Sequence, residues 1–451
     1  MAAPATRPAA ARIHRFSPTI WAGLAIAASA AVLLVMMIMR PSGAPGPIDN
    51  PSPTASESAA EATVSPSPTM ASGSPSPAPT DDAAPTPQPS RASLTWSDPV
   101  APSATINLLD VLPWRDGYVA TGLVWGEAAF LTSPDGLNWT VAQSIARDSG
   151  APVEGWRLAA LDDALFAFSG SIVADEAPNQ VISPPLVFRS VDGVAWGPVE
   201  SPTWAAAWTG RILLRVASGP GGIVAIGNSV AGEHGQLFAD PIVLRSTDGL
   251  AWAPGTLTDA PDHAVAWDLI GWSGGFVLLG GDQSGIAVGE GLPAAWWSPD
   301  GLSWTRSTLI GATVDDHHFE PRTGFAARDG LIARTQLMSA GGPSELRAWV
   351  SADGKSWQRA DALGVQPPSG MMAGDGVRLV AFDTDEGWTP LGTNPDPYPG
   401  LTRGWISTDG SAWEPLDLSA PMTDPIERFW LVPDGVIYAG AEAFWFGVLG
   451  R

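Results

Sequence analysis

The chain has 451 residues, no cysteine and a formal net charge of −23. Such a charge disfavours general binding to nucleic acid, which needs a positive field against the phosphates. The missing thiols exclude disulfides, thiolate metal sites and thiol catalysis. The whole net charge falls on residues 93–451, which also carry almost all of the 22 Trp, whereas residues 1–92 are rich in Pro, Ala, Ser and Thr.

Thr19 to Met39 is an apolar run of 21 residues broken only by Ser29. As a helix it is long enough to cross a bilayer core of about 30 Å. Arg7, Arg12 and Arg15 precede it, and after Arg40 no basic residue follows until Arg91. This bias predicts residues 1–18 in the cytoplasm, a transmembrane helix at 19–39, and everything after it outside the cell membrane. A cleaved signal peptide is the competing reading; the small-residue site "SGA" at 42–44 would then place scission before Pro45. Residues 40–92 form a disordered Pro/Ser/Thr-rich linker. Its prolines block both helix and ladder, so it reads as a spacer, partly polyproline II, that also permits O-glycosylation. One Lys against 22 Arg reads as genome composition, in keeping with a bacterial source.

From residue 93 onward the chain repeats itself. "TSPDGLNW", "RSVDGVAW", "RSTDGLAW", "WSPDGLSW", "VSADGKSW" and "ISTDGSAW" share Ser-x-Asp-Gly-x-x-Trp, with Ser133, Ser190, Ser246, Ser298, Ser351 and Ser407 spaced by 57, 56, 52, 53 and 56 residues. A period above about 50 with short β-type runs indicates propeller blades. Seven tight turns between apolar runs accompany the six motifs, from "WRDGYVATG" to "VPDGVIYAG", with "LDDALFAFSG" the weakest match. Asp-Gly and Gly-Gly are expected there to supply the positive φ of a two-residue hairpin. The seventh motif is missing because the last blade is split. Trp96, in "RASLTWSDPV", takes the place of its Trp, and the N-terminal strand closes the ring beside the C-terminal strands. The expectation is an all-β, seven-bladed β-propeller over 93–451.

The motif resembles the Asp-box, or BNR repeat, of sialidase-like β-propellers, over nearly all of 93–451. The resemblance implies a fold rather than one function, because that superfamily holds sialidases, other glycosidases and binding propellers. Asp135, Asp192, Asp248, Asp300, Asp353 and Asp409 read as architectural: each can accept backbone N–H groups of its own turn. Sialidases of this type use an arginine triad, a Tyr nucleophile with a Glu partner, and an Asp acid/base. Tyr118 and Tyr438 follow tight turns on the wrong face. Tyr398 lies in a long loop between prolines, with no identifiable Glu partner.

Candidate sites fall on the face opposite the tight turns, where the loops vary in length. The expected ligand-binding residues are Arg157, Arg211, Arg322 and Arg428 near the innermost strands, with Trp388 and Tyr398 in a long loop. Trp156, Trp208, Trp267 and Trp430 stand near similar positions, as blade packing or as a stacking surface. No catalytic set is assigned; Tyr398, Asp316 and Glu320 are the weak candidates. No metal or other cofactor is expected, although Asp315, Asp316, His317 and His318 in "DDHHFEPR" and Asp383 and Asp385 in "DTDEG" are of metal-ligand type. The predicted function is a non-catalytic binding or scaffold module for a protein or glycan at the cell envelope. The alternative is a sialidase-like glycoside hydrolase with a variant site.

Overall fold

The computed structural model describes residues 92–102, 104–145, 155–170, 172–174, 181–231, 237–282, 292–312, 321, 323–337, 345–368, 370–383, 401–419, 426–440 and 443–450. All belong to the second of two compact units, residues 85–451. The expected membrane helix and almost all of the linker lie outside the described residues. Among those described, no helix is long and apolar enough to cross a membrane.

The unit is all-β, built of propeller-like antiparallel sheets of mostly four strands. The first holds Ile106–Trp114, Gly117–Val124, Glu127–Ser133 and Thr140–Ser144 in sequence order. The second runs Arg157–Leu161, Ala164–Phe168, Val187–Ser190, Gly197–Pro198, and the third Arg211–Gly219, Gly222–Ala231, Leu237–Ser246, Ala253–Pro254. The fourth runs Ala264–Trp272, Gly275–Asp282, Leu292–Ser298, Ser303–Arg306, and the fifth Thr323–Ala326, Leu331–Leu337, Glu345–Ser351, Ser356–Arg359. An eight-stranded sheet completes the set. One half is Met371–Gly374, Leu379–Asp383, Arg403–Ser407 and Glu414–Leu418; the other is Ile426–Val432, Gly435–Gly440, Phe444–Gly450 and the N-terminal Ser93–Trp96. The first strands of successive four-strand runs touch one another in a closed cycle, Ile426–Val432 returning to Ile106–Trp114.

Ser93–Trp96 pairs antiparallel with the C-terminal strand, from Ser93↔Gly450 to Trp96↔Gly447, and parallel with Asp417 and Leu418 on its other side. The first and last strands of the unit therefore share one sheet, and Leu94 is fully buried between its neighbours. Two other junctions carry the same parallel latch: Thr256–Leu257 on Ser303–Arg306 and Thr308–Ile310 on Ser356–Arg359. Trp96 sits against Phe382 and Tyr438. Its indole nitrogen is buried without a partner among the described residues.

Each of the six motifs closes the same way. The Ser hydroxyl donates to Asp Oδ1 at 3.0–3.3 Å. The Gly N–H donates to that Ser Oγ at 2.8–2.9 Å. Asp Oδ1 also accepts the N–H groups two and three residues on, as at Leu250 and Ala251 for Asp248. Five of the six indoles donate to the carbonyl of their own motif Gly. The exception is Trp252, whose indole nitrogen is buried without a partner. It packs at 4.7 Å on Trp204, in a seven-residue helix, Pro202–Trp208, that the sequence reading lacks. Ser201 caps that helix, accepting the Trp204 N–H, and Trp204 and Trp208 are buried beneath it.

The motif does more than close its turn. A methyl group at Gly193 would meet Val119, at Gly249 Phe166, at Gly301 Val224 and at Gly354 Val277. Each of these residues lies on the preceding sheet. At Gly136, in the first sheet, it would meet Phe446 and Ile437 of the last half-sheet. The repeat is thus an inter-sheet joint, which accounts for one copy per sheet.

Gly221, Gly222, Gly275 and Gly376 take the positive φ expected of the turn glycines, but the first turns differ. In the first two turns the positive φ belongs to Arg115 (53°) and Asp162 (51°). Gly117 is required instead by close approach, since a Cβ there would lie 2.5 Å from the Ser133 carbonyl oxygen.

All six motif Asp carboxyls are held below their ordinary pKa of 3.8. At Asp192, Asp248 and Asp300 the main cause is the backbone N–H of Ala195, Ala251 and Leu302. At Asp135, Asp353 and Asp409 burial is the largest influence and opposes the shift, but the hydrogen bonds together outweigh it. A depressed carboxylate contributes stability above its unfolded pKa and loses it as pH falls through the folded value. Melting temperature is therefore expected to fall steeply below about pH 4, with a shallower fall in Asp409→Asn. Thermal melts between pH 6 and pH 2 test this; a flat profile would remove the charged turns from the stability of the fold.

Candidate ligand-binding site

The innermost strands surround a cavity of about 870 Å³ whose lining includes Asn107, Asp110, Arg157, Arg215, Asp268, Thr323, Arg428 and Trp430. Four of these strands break register one residue before a charged side chain: between Leu108 and Asp110, Leu213 and Arg215, Ala266 and Asp268, and Ile426 and Arg428. A β-bulge of this kind re-aims the side chain that follows it. It brings a charge to the cavity from strands whose other residues are mostly apolar.

The charges tie neighbouring sheets together. Asp110 Oδ2 accepts the Leu158 N–H at 2.8 Å, and its Oδ1 accepts the Val111 N–H at 3.0 Å. Asp268 Oδ2 accepts the Gly324 N–H at 2.8 Å, while Oδ1 takes Arg215 Nε at 2.8 Å. Arg428 Nη1 donates to the Leu109 carbonyl at 3.1 Å, and Arg157 Nη1 to the Trp156 carbonyl at 2.8 Å. Burial pushes the Asp110 carboxyl above its ordinary pKa, with Arg157 the chief opposing charge. Burial, aided by Arg215, lowers Arg157. Three guanidinium groups thus share the cavity with two carboxylates, in a protein that is strongly acidic overall.

Of the arginines singled out in the sequence, Arg157 and Arg428 line the cavity. Arg211 does not: its Nη1 donates to the Ala207 carbonyl at 2.6 Å, beside the helix. Asp383 is buried in its strand with Arg403 Nη2 at 3.2 Å; this charge partner makes it a weak metal ligand. Trp156 and Trp208 are fully buried packing residues, whereas Trp430 lines the cavity. Arg322, Trp388, Tyr398, Asp315, Asp316, His317, His318, Glu320 and Asp385 lie outside the described residues. Tyr118 and Tyr438 are buried, away from the cavity. Burial lowers Arg334 to a pKa of about 10; it donates to the carbonyls of Pro368 and Gly370 and so serves the fold.

Sequence reading missed Asp110, Arg215 and Asp268. A signal was present in the spacing. Asp110, Arg157, Arg215, Asp268 and Arg428 each stand seven positions before the residue that opens the second strand of their sheet: Gly117, Ala164, Gly222, Gly275 and Gly435.

No protein-family model and no curated protein matches the chain. Solved structures do resemble it at low identity. YCF48 bound to a D1 peptide is 13% identical over 79% of this chain and 97% of that one, with a TM-score of 0.43. An α-L-arabinofuranosidase of Fusarium graminearum with an iminosugar inhibitor is 13% identical over 79% and 98%, with a TM-score of 0.39. An α-L-arabinanase of Penicillium chrysogenum complexed with arabinobiose is 12% identical over 81% and 99%, with a TM-score of 0.35.

Proposed function

We propose that the chain is a seven-bladed Asp-box propeller, anchored by the helix at 19–39 and held outside the membrane on the linker. It binds an anionic group of a protein or glycan at the cell envelope without cleaving it. The observation that carries this reading is the charge of the cavity. Arg215 is paired with Asp268, and the three guanidinium groups of Arg157, Arg215 and Arg428 exceed the two carboxylates of Asp110 and Asp268 by one positive charge. Low-dielectric walls strengthen the field of such a cluster.

One observation favours the glycosidase alternative: burial raises the Asp110 pKa, as in the general acid of such enzymes. Both Asp110 oxygens already accept N–H groups, which suits a fixed acceptor better than a proton donor. The test uses the purified full-length chain. Calorimetric titration with carboxylate-bearing peptides and oligosaccharides is expected to show binding that weakens about tenfold in Arg428→Gln, the order of one charged hydrogen bond. Fluorogenic glycosides should give no turnover. Turnover abolished by Asp110→Asn would replace the binding reading with the catalytic one.

A further inference from the structure

Trp125 has a backbone conformation that the fold does not account for. It sits at the tip of the two-residue hairpin between Gly117–Val124 and Glu127–Ser133, on the face opposite the motif turns. Its φ is 55° and that of Gly126 is 78°. Two successive positive φ values are the signature of a type I′ turn, where Asn-Gly is favoured and a bulky side chain at the first position is strained. Burial does not offset that strain, because Trp125 is 69% exposed. Backbone strain retained at an exposed site points to use of the side chain there.

The hairpin carries this indole two residues beyond a strand position that lines the cavity. Leu123, two residues earlier, lines the cavity together with its cross-strand partner Asn107. The Trp125 N–H donates to the Thr105 carbonyl at 3.1 Å, which fixes the tip beside the start of the innermost strand. Other exposed apolar side chains, such as Val191, Val194, Leu250 and Val377, belong to the motifs and tight turns of the opposite face. On the same face the exposed Leu363 stands in the connection after the fifth sheet, away from the first sheet that carries Trp125, so no contiguous apolar patch surrounds the indole among the described residues. A protein interface needs a contiguous apolar core. A lone indole beside a cationic cavity instead matches one ring with a flat apolar face and one acidic substituent.

We infer that Trp125 is the stacking platform for a sugar ring of a glycan whose acidic group enters the cavity. This rests on the anion-binding reading above, and it selects glycan over protein. Because the protein carries a net charge of −23, long-range repulsion favours a glycan with a single terminal acid over a polyanion.

The experiment uses the full-length chain on an array of uronate-terminated, sialate-terminated and neutral oligosaccharides, followed by titration with glucuronoxylotriose and its neutral twin xylotriose. Binding of acid-terminated glycans is expected, at least tenfold tighter for the acidic trisaccharide derivative than for its twin. Trp125→Asn, which suits the left-handed conformation, should raise the melting temperature and weaken acidic-glycan binding about tenfold, in line with the 1–3 kcal/mol of one ring stack. Trp125→Phe should retain most of the affinity. Binding lost in Arg428→Gln but unchanged in Trp125→Asn would overturn the platform and leave the cavity reading intact. Binding indifferent to both changes would overturn both. An array with no bound glycan, or a Trp125→Asn chain that melts lower than the parent, would overturn the platform outright.

Discussion

Removal of residues 93–96 is expected to abolish the folded state of the sheet unit at ordinary temperatures. This strand is hydrogen-bonded on both sides, to Phe444–Gly450 and to Glu414–Leu418. Its loss exposes two strand edges at once and leaves the ring open at the junction of the chain ends. The fully buried Leu94 measures part of the effect by itself. Leu94→Ala should cost about 2–4 kcal/mol, the usual range for a truncated core leucine. Ile310→Ala, in another latch strand but 51% exposed, should stay within about 0.5 kcal/mol. Urea unfolding of the two point variants, and size-exclusion chromatography of the deletion, give the comparison. A monomeric deletion variant that melts like the parent would mean that the ring closes without this strand.

Gly249→Ala is expected to be the most damaging single methyl group in the motif set. Gly249 has a φ of 72°, and a Cβ there would lie 2.1 Å from a ring carbon of Phe166 on the preceding sheet. Left-handed backbone costs a residue with a Cβ about 1–2 kcal/mol, and overpacking adds about 1–3 kcal/mol. Gly126→Ala supplies the control: its φ is 78°, yet nothing lies within 4 Å of the added carbon. It should cost only the backbone share, about 1–2 kcal/mol. Equal losses for the two variants in chemical denaturation would show that the motif glycine serves its turn alone, with no part in joining sheets.

The two classes of residue differ in how far sequence makes them legible. The motif Asp, Gly and Trp act mainly within eight residues of chain, so their pattern carries their local chemistry, down to the hydrogen bonds of Asp248 with Leu250 and Ala251. Trp96 is legible for the same reason: its distance to the next turn matches that of the other motif Trp residues. The contact of Gly249 with Phe166 is not, because the two lie in different sheets and no local rule couples them. Arg211 and Arg215 make the same point within one strand. Both are basic and four residues apart, but the shift of register after Leu213 sends Arg215 to Asp268, while Arg211 turns to the Ala207 carbonyl.

By itself the amino-acid sequence determined the all-β repeat and the number of motifs, since period and turn chemistry are properties of order along the chain. Tertiary structure decided which charges converge. Asp110, Arg157, Arg215, Asp268 and Arg428 are separated by roughly one repeat or more, and each looks like an isolated charge in an apolar strand. Only when the innermost strands close their cycle do these positions face one space. Bulges and burial then decide whether a charge is held by its neighbours or offered to a ligand.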